Sequence, residues 1–286
     1  RNNGVNIAFF SGNTLHWKTR WEDNFQTLVC YKEGTQGIYS CGSKCDPVTN
    51  VWTGLWRDGC LPAYGTHDGC RPEGPFLAQM GWTESTGSIK VPDTYKNLRF
   101  WKNTSIAALG SGQTATLPLG TLGAEWDQEQ FVELLPARRI PLSFTTFTGL
   151  NHRMYLYRHD NSGALVFSAG TMQWCWGLDD NHDNPSLPPS LAMQQATVNL
   201  LFDMGATAET LQQFVVAPSA STDVLPPSTT IVNPIHTSTV PGSPITISGT
   251  AADNGGGAVG GVEVSTDNGA TWHRASGLES WTYTFS

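Results

Sequence analysis

The stretch GVNIAFFSGNTLHWKTRWE at residues 4–22 decides how the first part of this chain folds. Residues 5–10 form an almost unbroken apolar run, which is typical of a short strand covered on both faces in a parallel sheet flanked by helices. Turn-forming residues at 11–13 end the run. Because ligands bind at the carboxyl ends of strands in open parallel sheets, we expect a functional site among the residues that follow, including His16, Arg20 and Glu22.

A parallel strand also needs neighbouring strands, and only Arg1, Asn2 and Asn3 precede this stretch. We therefore expect the chain to be a piece of a longer polypeptide whose earlier strands complete the sheet. The upstream and downstream parts of that polypeptide are the first partners that the sequence predicts. Self-association into a homo-oligomer is a second expectation.

The composition favours a secreted, β-rich protein. Charged residues make up 14% of the 286 residues, against roughly 25% in an average globular chain, while glycine (30), proline (17) and tryptophan (11) are plentiful. The net charge of −8 argues against a nucleic-acid partner. No apolar run approaches the ~20 residues that a membrane-spanning helix needs. We expect an extracellular protein with no membrane span.

The cysteines also indicate an oxidising compartment. Five of the six lie between residues 30 and 70 in a stretch rich in turn residues, which favours structural disulfides over free thiols. The predicted disulfide cysteines are Cys30, Cys41, Cys45, Cys60, Cys70 and Cys175. Their pairing stays open. A zinc site is the rival interpretation, although the spacing of the last pair in the cluster, Cys60-x9-Cys70, is not a familiar ligand pattern.

Hydrophobic periodicity predicts a hairpin and two helices after the cysteine-rich stretch. Residues 153–158 and 164–167 read as a hairpin that returns to the core. Residues 191–204 have helical spacing, with Ser190 as the N-cap and Gly205 at the C-terminal stop. A second, shorter helix is predicted over 208–215, and residues 98–101 are predicted to form a strand.

These patterns divide the chain into three parts. Residues 1–216 are predicted to form an α/β domain, with a disulfide-rich insertion at 33–75. Residues 217–230 have the Ala/Pro/Ser/Thr composition of a linker. Residues 231–286 show only β patterns, and 267–269 is a hairpin turn signal. Too few strands are visible for a seven-stranded sandwich, so a partial immunoglobulin-like β-sandwich is expected.

Several longer motifs carry a resemblance to a known family. In chain order after residues 4–22 they are LRFWKNT (98–104), LGAEWDQE (122–129), GALVFSAGTMQWCWGLDDNHD (163–183) and MQQATVNLLFDMG (193–205). They resemble the C-terminal, catalytic-type region of the N,N-dimethylformamidase large (beta) subunit family. ISGTAADNGGGAVGGVEVSTDNGATWHRA (247–275) resembles the bacterial Ig-like module appended in secreted actinobacterial relatives.

The resemblance implies both a fold and an activity. The fold would be part of a three-layer, flavodoxin-like domain related to class I glutamine amidotransferases. The activity would be hydrolysis of small amide C–N bonds at an iron held by two tyrosines and a glutamate. One tyrosine would lie upstream, His16 resembles the position of the second, and Glu125 resembles the glutamate. An imidazole suits zinc or ferrous iron better than ferric iron, so zinc is the alternative metal.

Other roles follow less directly. Arg20 and Glu22 are candidate catalytic residues that would orient the substrate around the metal, although they also suit a plain ion pair. Asn103 begins a glycosylation sequon. A dense group of polar side chains offers oxygens to calcium, namely Asp179, Asp180, His182 and Asp183. The alternative function is a non-catalytic extracellular scaffold that binds carbohydrate or itself through a Trp-rich surface.

Overall fold

The structure is a computed structural model, and it describes most of the chain outside the cysteine-rich insertion. The described residues are 1–32, 45–48, 50–51, 53–55, 77, 82–129, 135–136, 138–183, 187–233, 243–255 and 257–285. Cys41, Cys60 and Cys70 lie outside them, as does most of the predicted insertion at 33–75. Within these ranges the chain is mostly β, and no helix is long and apolar enough to span a membrane.

The central sheet has four strands in the order β1-β14-β13-β10. β1 (Ile7–Phe9) runs parallel to β14 (Leu165–Ser168), which runs antiparallel to β13 (Tyr155–Arg158), and β13 pairs antiparallel with β10 (Ile140–Pro141). The parallel pairing of the first strand and the predicted hairpin are confirmed. β1 itself is only half-buried, so the prediction that it is covered on both faces is wrong.

Five antiparallel pairs of short strands accompany this sheet in the described part of the chain. They are β2 (Trp17–Lys18) with β5 (Gly54–Leu55), β3 (Arg20–Glu22) with β4 (Thr27–Val29), β6 (Trp82–Glu84) with β9 (Glu125–Asp127), β7 (Lys90–Pro92) with β8 (Thr114–Thr116), and β11 (Thr145–Phe147) with β12 (Leu150–His152). The sheet is therefore mixed and the surroundings are β. A three-layer α/β arrangement is not visible in the described residues.

The helix α1 (Leu191–Asp203) confirms the strongest helix prediction. Ser190 caps it, since its Oγ accepts a hydrogen bond from the backbone N–H of Met193 over 3.4 Å. The helix stops before Gly205, whose φ of +86° is a left-handed conformation that suits glycine. Its buried face contributes Met193 and Leu200 to the main core.

Two local predictions are wrong. Residues 98–101 contain the 3₁₀ helix Arg99–Trp101 and not a strand, because Phe100 and Trp101 pack into the core together from one tight turn. Residues 208–215 are not helical. Their side chains are nearly all exposed, so a short helix there has no packed face to stabilise it. Further 3₁₀ helices are Asp93–Tyr95, Ser105–Ala108 and Trp174–Gly177.

Aromatic rings fill the main core between α1 and the central sheet. Phe100 stacks on Phe167 with ring centroids 5.5 Å apart, and Trp174 meets Phe167 edge-on at 6.2 Å. Trp101, Trp126 and Trp174 are fully buried. These three tryptophans therefore belong to the core and not to an exposed binding surface.

Residues 228–285 form a separate β unit, called here the C-terminal unit. Its sheet order is β15-β16-β20-β19, from β15 (Ser228–Asn233), β16 (Ile245–Ala252), β20 (Ser280–Phe285) and β19 (Ser276–Gly277). A hairpin of β17 (Glu263–Val264) and β18 (His273–Arg274) packs with it around the buried Trp281. The hairpin at 267–269 is confirmed, with Asn268 and Gly269 both left-handed.

The C-terminal unit contacts the rest of the chain beside β10. Arg274 donates from Nη1 to the carbonyl of Arg139 over 2.7 Å, and the backbone N–H of Arg138 donates to Glu263 Oε1 over 2.5 Å. Gly260 lies so close to Ile140 that an added Cβ would come within 2.9 Å of it. Hydrogen bonds and close packing therefore join the two parts.

Candidate functional site

The carboxyl ends of β1 and β14 lie side by side, and β9 crosses both. Asp127 donates its N–H to the carbonyl of Gly170 over 2.8 Å, and Met172 donates its N–H to the carbonyl of Glu125 over 3.0 Å. These bonds join β9 to the loop after β14. On the other side, an added Cβ at Gly12 would lie 2.8 Å from the Glu125 carbonyl oxygen, so only glycine permits this close approach.

Asn13 ties the loop after β1 to two carboxylates. Its backbone N–H donates to Asp127 Oδ1 over 3.0 Å, and its Nδ2 donates to Glu125 Oε2 over 2.8 Å. Its φ of +49° is left-handed, which asparagine tolerates better than most residues. The structure therefore brings Glu125 to the end of the first strand, where the sequence predicts a site.

Two oxygen atoms at this edge have unused hydrogen-bonding capacity. Asn13 Oδ1 and Gln173 Oε1 are buried and have no hydrogen-bond partner among the residues that the structure describes. Thr171 lies at the same edge, since it forms a β-bridge with Trp126 and its Oγ1 accepts from the N–H of Gly123 over 3.0 Å. Buried polar atoms without partners are costly, which makes this edge a candidate binding site.

The other predicted metal ligand, His16, is a buried side chain. Its ring is 9% exposed and meets Trp17 edge-on, with ring centroids 4.7 Å apart. Across the described ranges, no group of three or more His, Cys, Asp or Glu side chains is arranged to hold a metal ion. This also holds for the polar side chains at 179–183, which the sequence predicts to offer oxygens to calcium. His182 stacks on Trp176 with ring centroids 4.8 Å apart, and Asp179 accepts a hydrogen bond from the N–H of Asn181.

Arg20 and Glu22 form an ion pair that extends to a third residue. Arg20 contacts Glu22 Oε1 at 2.8 Å and binds both carboxylate oxygens of Asp46, the closer one at 2.8 Å. Asp46 is buried, and it also accepts the N–H and the hydroxyl of Thr53. Burial disfavours the Asp46 charge, but the hydrogen bonds from Arg20, Val48 and Thr53 outweigh it and lower its pKa to about 2. The guanidinium of Arg20 is thereby held in a structural network.

Two of the predicted disulfide cysteines are free thiols. Cys30 Sγ lies 4.0 Å from the carbonyl oxygen of Lys18, and the exposed Cys175 has its Sγ 3.9 Å from the carbonyl oxygen of Met172. Each sulfur faces a backbone carbonyl and not another sulfur, so the prediction of disulfides at these two positions is wrong. Cys45 is disulfide-bonded.

Asn103 occupies an exposed turn directly after the 3₁₀ helix Arg99–Trp101. Its φ of +62° is typical of a turn asparagine. The side chain is therefore accessible, as the predicted glycosylation requires, and modification at this position stays a prediction.

Sequence reasoning found Glu125 but not the residues that hold it. Asn13, Thr171 and Gln173 were not predicted as site residues. The only local signal for Asn13 is its place in the turn after the first strand, and Asp127 lies in the same motif as Glu125. Their contacts join segments more than a hundred residues apart.

Comparisons with known proteins agree with the two-part organisation. Residues 1–185 match the family model described as N,N-dimethylformamidase beta subunit-like, C-terminal, and residues 227–286 match the model of a bacterial Ig domain. The C-terminal unit is thus of the bacterial Ig type. Searches among curated proteins and among solved structures return no match.

Proposed function

The chain belongs to the N,N-dimethylformamidase beta subunit-like family, and from this premise we propose that it hydrolyses the C–N bond of small amides at the carboxyl ends of β1 and β14. The observation that carries the proposal is the double contact of Asn13 with Glu125 and Asp127. The parallel β1–β14 pair also supports an amidotransferase-like core as the finer description of the fold.

A transition metal, iron or zinc, is part of this proposal. The donor types suit such an ion: Glu125 Oε1 and Asn13 Oδ1 have no hydrogen-bond partner within the described part of the chain, and His16 would supply a nitrogen. When bound, the metal would polarise the amide carbonyl and lower the pKa of a coordinated water.

The chain's own residues prepare this edge for a small polar substrate. The Nδ2 group of Asn13 fixes the orientation of the Glu125 carboxylate, and the Asn13 N–H fixes Asp127. Asp127 is 3% exposed, so water has little access to this side of the site. Arg20 and Glu22 act as positioning residues. Their network with Asp46 fixes β3, the strand that follows His16 in the chain.

The test is metal analysis of the purified full chain together with hydrolysis of N,N-dimethylformamide and formamide. We expect about one equivalent of iron or zinc per chain. Replacing Glu125 by Gln (E125Q) should reduce metal content and turnover by at least about tenfold. E279Q is the matched control, because Glu279 is an exposed carboxylate of the C-terminal unit, directly before β20.

The hydrolase proposal is refuted if the protein is metal-free and if its H16A and E125Q variants have the same metal content and the same amide turnover as the wild type. The function would then be that of a non-catalytic extracellular scaffold built on the same fold. Secretion, which the low charge content and the bacterial Ig domain support, is common to both functions.

A further inference from the structure

A second polar site lies where the C-terminal unit meets the rest of the chain. A cavity of about 480 Å³ opens there, and both parts contribute to its wall. The side chains that matter for its chemistry are Tyr95, Glu129, Arg139, Arg153, Tyr155 and Arg274. Three guanidinium groups thus face one carboxylate.

The single carboxylate accepts one hydrogen bond on each of its oxygens. Arg153 Nε donates to Glu129 Oε2 over 2.9 Å, and the Tyr155 hydroxyl donates to Glu129 Oε1 over 2.5 Å. Burial would raise the pKa of Glu129, but the Arg153 charge and the Tyr155 hydrogen bond hold it below its usual range. Glu129 is therefore ionised, and it balances the charge of Arg153.

Arg139 and Arg274 have no carboxylate at ion-pair distance among the described residues, although the charge of Glu129 also acts on Arg139. Neither residue forms an ion pair with any carboxylate in the described ranges. Arg139 is 9% exposed and lies over the Tyr155 ring at 5.6 Å, and its Nε is buried without a hydrogen-bond partner among the described residues. Arg274 uses Nη1 on the Arg139 carbonyl.

Placing the buried Arg139 and the half-buried Arg274 around a cavity in which one carboxylate serves three guanidinium groups is unfavourable. Burial is the main cause that lowers the pKa of Arg274, and the charges of Arg139 and Arg153 act in the same direction, while Tyr155 and Tyr95 act against them. An anion between them would remove this penalty, and a planar guanidinium fork matches the oxygens of a carboxylate or phosphate.

We propose that this cavity binds a small oxyanion, a carboxylate or a phosphate group, between Arg139 and Arg274. Since Arg139 precedes β10 and Arg274 belongs to β18 of the C-terminal unit, the bound anion bridges the two parts of the chain. The site is independent of the hydrolase proposal, because none of its groups is a candidate metal ligand.

The test is calorimetric titration of the full chain with three probes: sodium acetate, sodium benzoate and inorganic phosphate, each at an ionic strength held constant with sodium chloride. We expect saturable binding of at least one probe. R139Q and R274Q should each weaken it by about tenfold or more, the loss expected for a hydrogen bond to a charged group. R139K, which keeps the charge but not the fork, should lose affinity as well.

R138Q is the matched control, because Arg138 is the neighbouring arginine, with an exposed side chain paired to Asp160 at 3.0 Å. It should bind as the wild type does. Binding of acetate or benzoate without phosphate would identify the ligand as a carboxylate, and the reverse would identify a phosphate. The proposal is overturned if no probe binds, or if R138Q weakens binding as much as R139Q and R139K do.

Discussion

Asn13 Nδ2 lies 2.8 Å from Glu125 Oε2, although 112 positions separate the two residues in the chain. This hydrogen bond connects the turn after β1 to β9 and orients the carboxylate on which the proposed chemistry depends. The left-handed backbone of Asn13 and the bare Cα of Gly12 are what allow the turn to come so close.

Removing the Asn13 side chain should destabilise the fold and weaken metal binding. We expect N13A to lower the free energy of unfolding by about 2 kcal/mol, because it loses the side-chain hydrogen bond to the Glu125 carboxylate and places alanine in a left-handed backbone conformation. N13G lacks the same side chain but suits the backbone, so it should cost about 1 kcal/mol less. Urea unfolding of both variants measures the difference, and equal stabilities would contradict it.

The two carboxylates that contact Arg20, those of Asp46 and Glu22, should contribute unequally to the free energy of unfolding. D46N removes a fully buried partner and leaves the guanidinium without its bidentate contact, so we expect a loss of about 3 kcal/mol in unfolding free energy. E22Q removes a partner that is 41% exposed and should cost less than about 1 kcal/mol. Chemical denaturation at neutral pH compares them. A larger effect of E22Q would show that the Asp46 network is not the anchor of β3.

His152 should make the protein acid-sensitive. Burial lowers its pKa to about 4, since the ring is enclosed in the core with Nε2 3.0 Å from the Ala169 carbonyl oxygen. Between pH 6.5 and 4 the unfolded chain binds a proton that the folded protein does not, so stability falls as the pH falls through this window and levels off below it. The difference from the ordinary value corresponds to about 3 kcal/mol.

The measurement is the urea midpoint of the wild type, H152Q and H159Q from pH 7 to pH 3.5. H152Q should lose less stability than the wild type over this range, by about 3 kcal/mol. H159Q, which replaces a half-buried histidine in a turn, should follow the wild type. Parallel curves for all three proteins would rule out His152 as the cause.

Cys175 should react with thiol reagents in the folded protein. It is exposed, whereas Cys30 is half-buried and burial raises the pKa of its thiol, which lowers its reactivity. We expect iodoacetamide to label Cys175 first, and C175S to lose this early label while C30S keeps it. Peptide mapping by mass spectrometry locates the label. Recovery of Cys175 in a disulfide-linked peptide would restore the original prediction.

Predictions from local pattern succeeded where the responsible interactions are local. The hairpin of β13 and β14 and the helix α1 follow from alternation, helical spacing and the Ser190 cap, all of which act within a few residues. The turn at Asn268 and Gly269 is equally local. These elements form where the sequence predicts them, because no distant contact competes with them.

The failures have a non-local cause. The aromatic pair Phe100 and Trp101 has β propensity, but both rings pack into one core cluster, and the Trp101 indole donates to the Leu142 carbonyl over 2.8 Å. Likewise, the site partners of Glu125 come from the ends of two other strands. No window of sequence contains the Asn13 contact, so only the fold reveals it.

The segment 216–219, which follows α1, is hydrogen-bonded to side chains of α1 and of the 3₁₀ helix Arg99–Trp101 before the chain reaches the C-terminal unit. The Gln195 side chain exchanges two hydrogen bonds with the backbone of Val216, at 2.7 and 2.9 Å, and Arg99 donates to the carbonyl of Ser219 over 2.5 Å. The part of the predicted linker that lies between these contacts and β15 is therefore residues 220–227, and Pro226 within it already accepts a hydrogen bond from Asn254 Nδ2 of the C-terminal unit over 2.6 Å. Because the C-terminal unit also packs beside β10, residues inserted before Val216 would lengthen a loop that is tied at both ends and would leave the position of that unit unchanged.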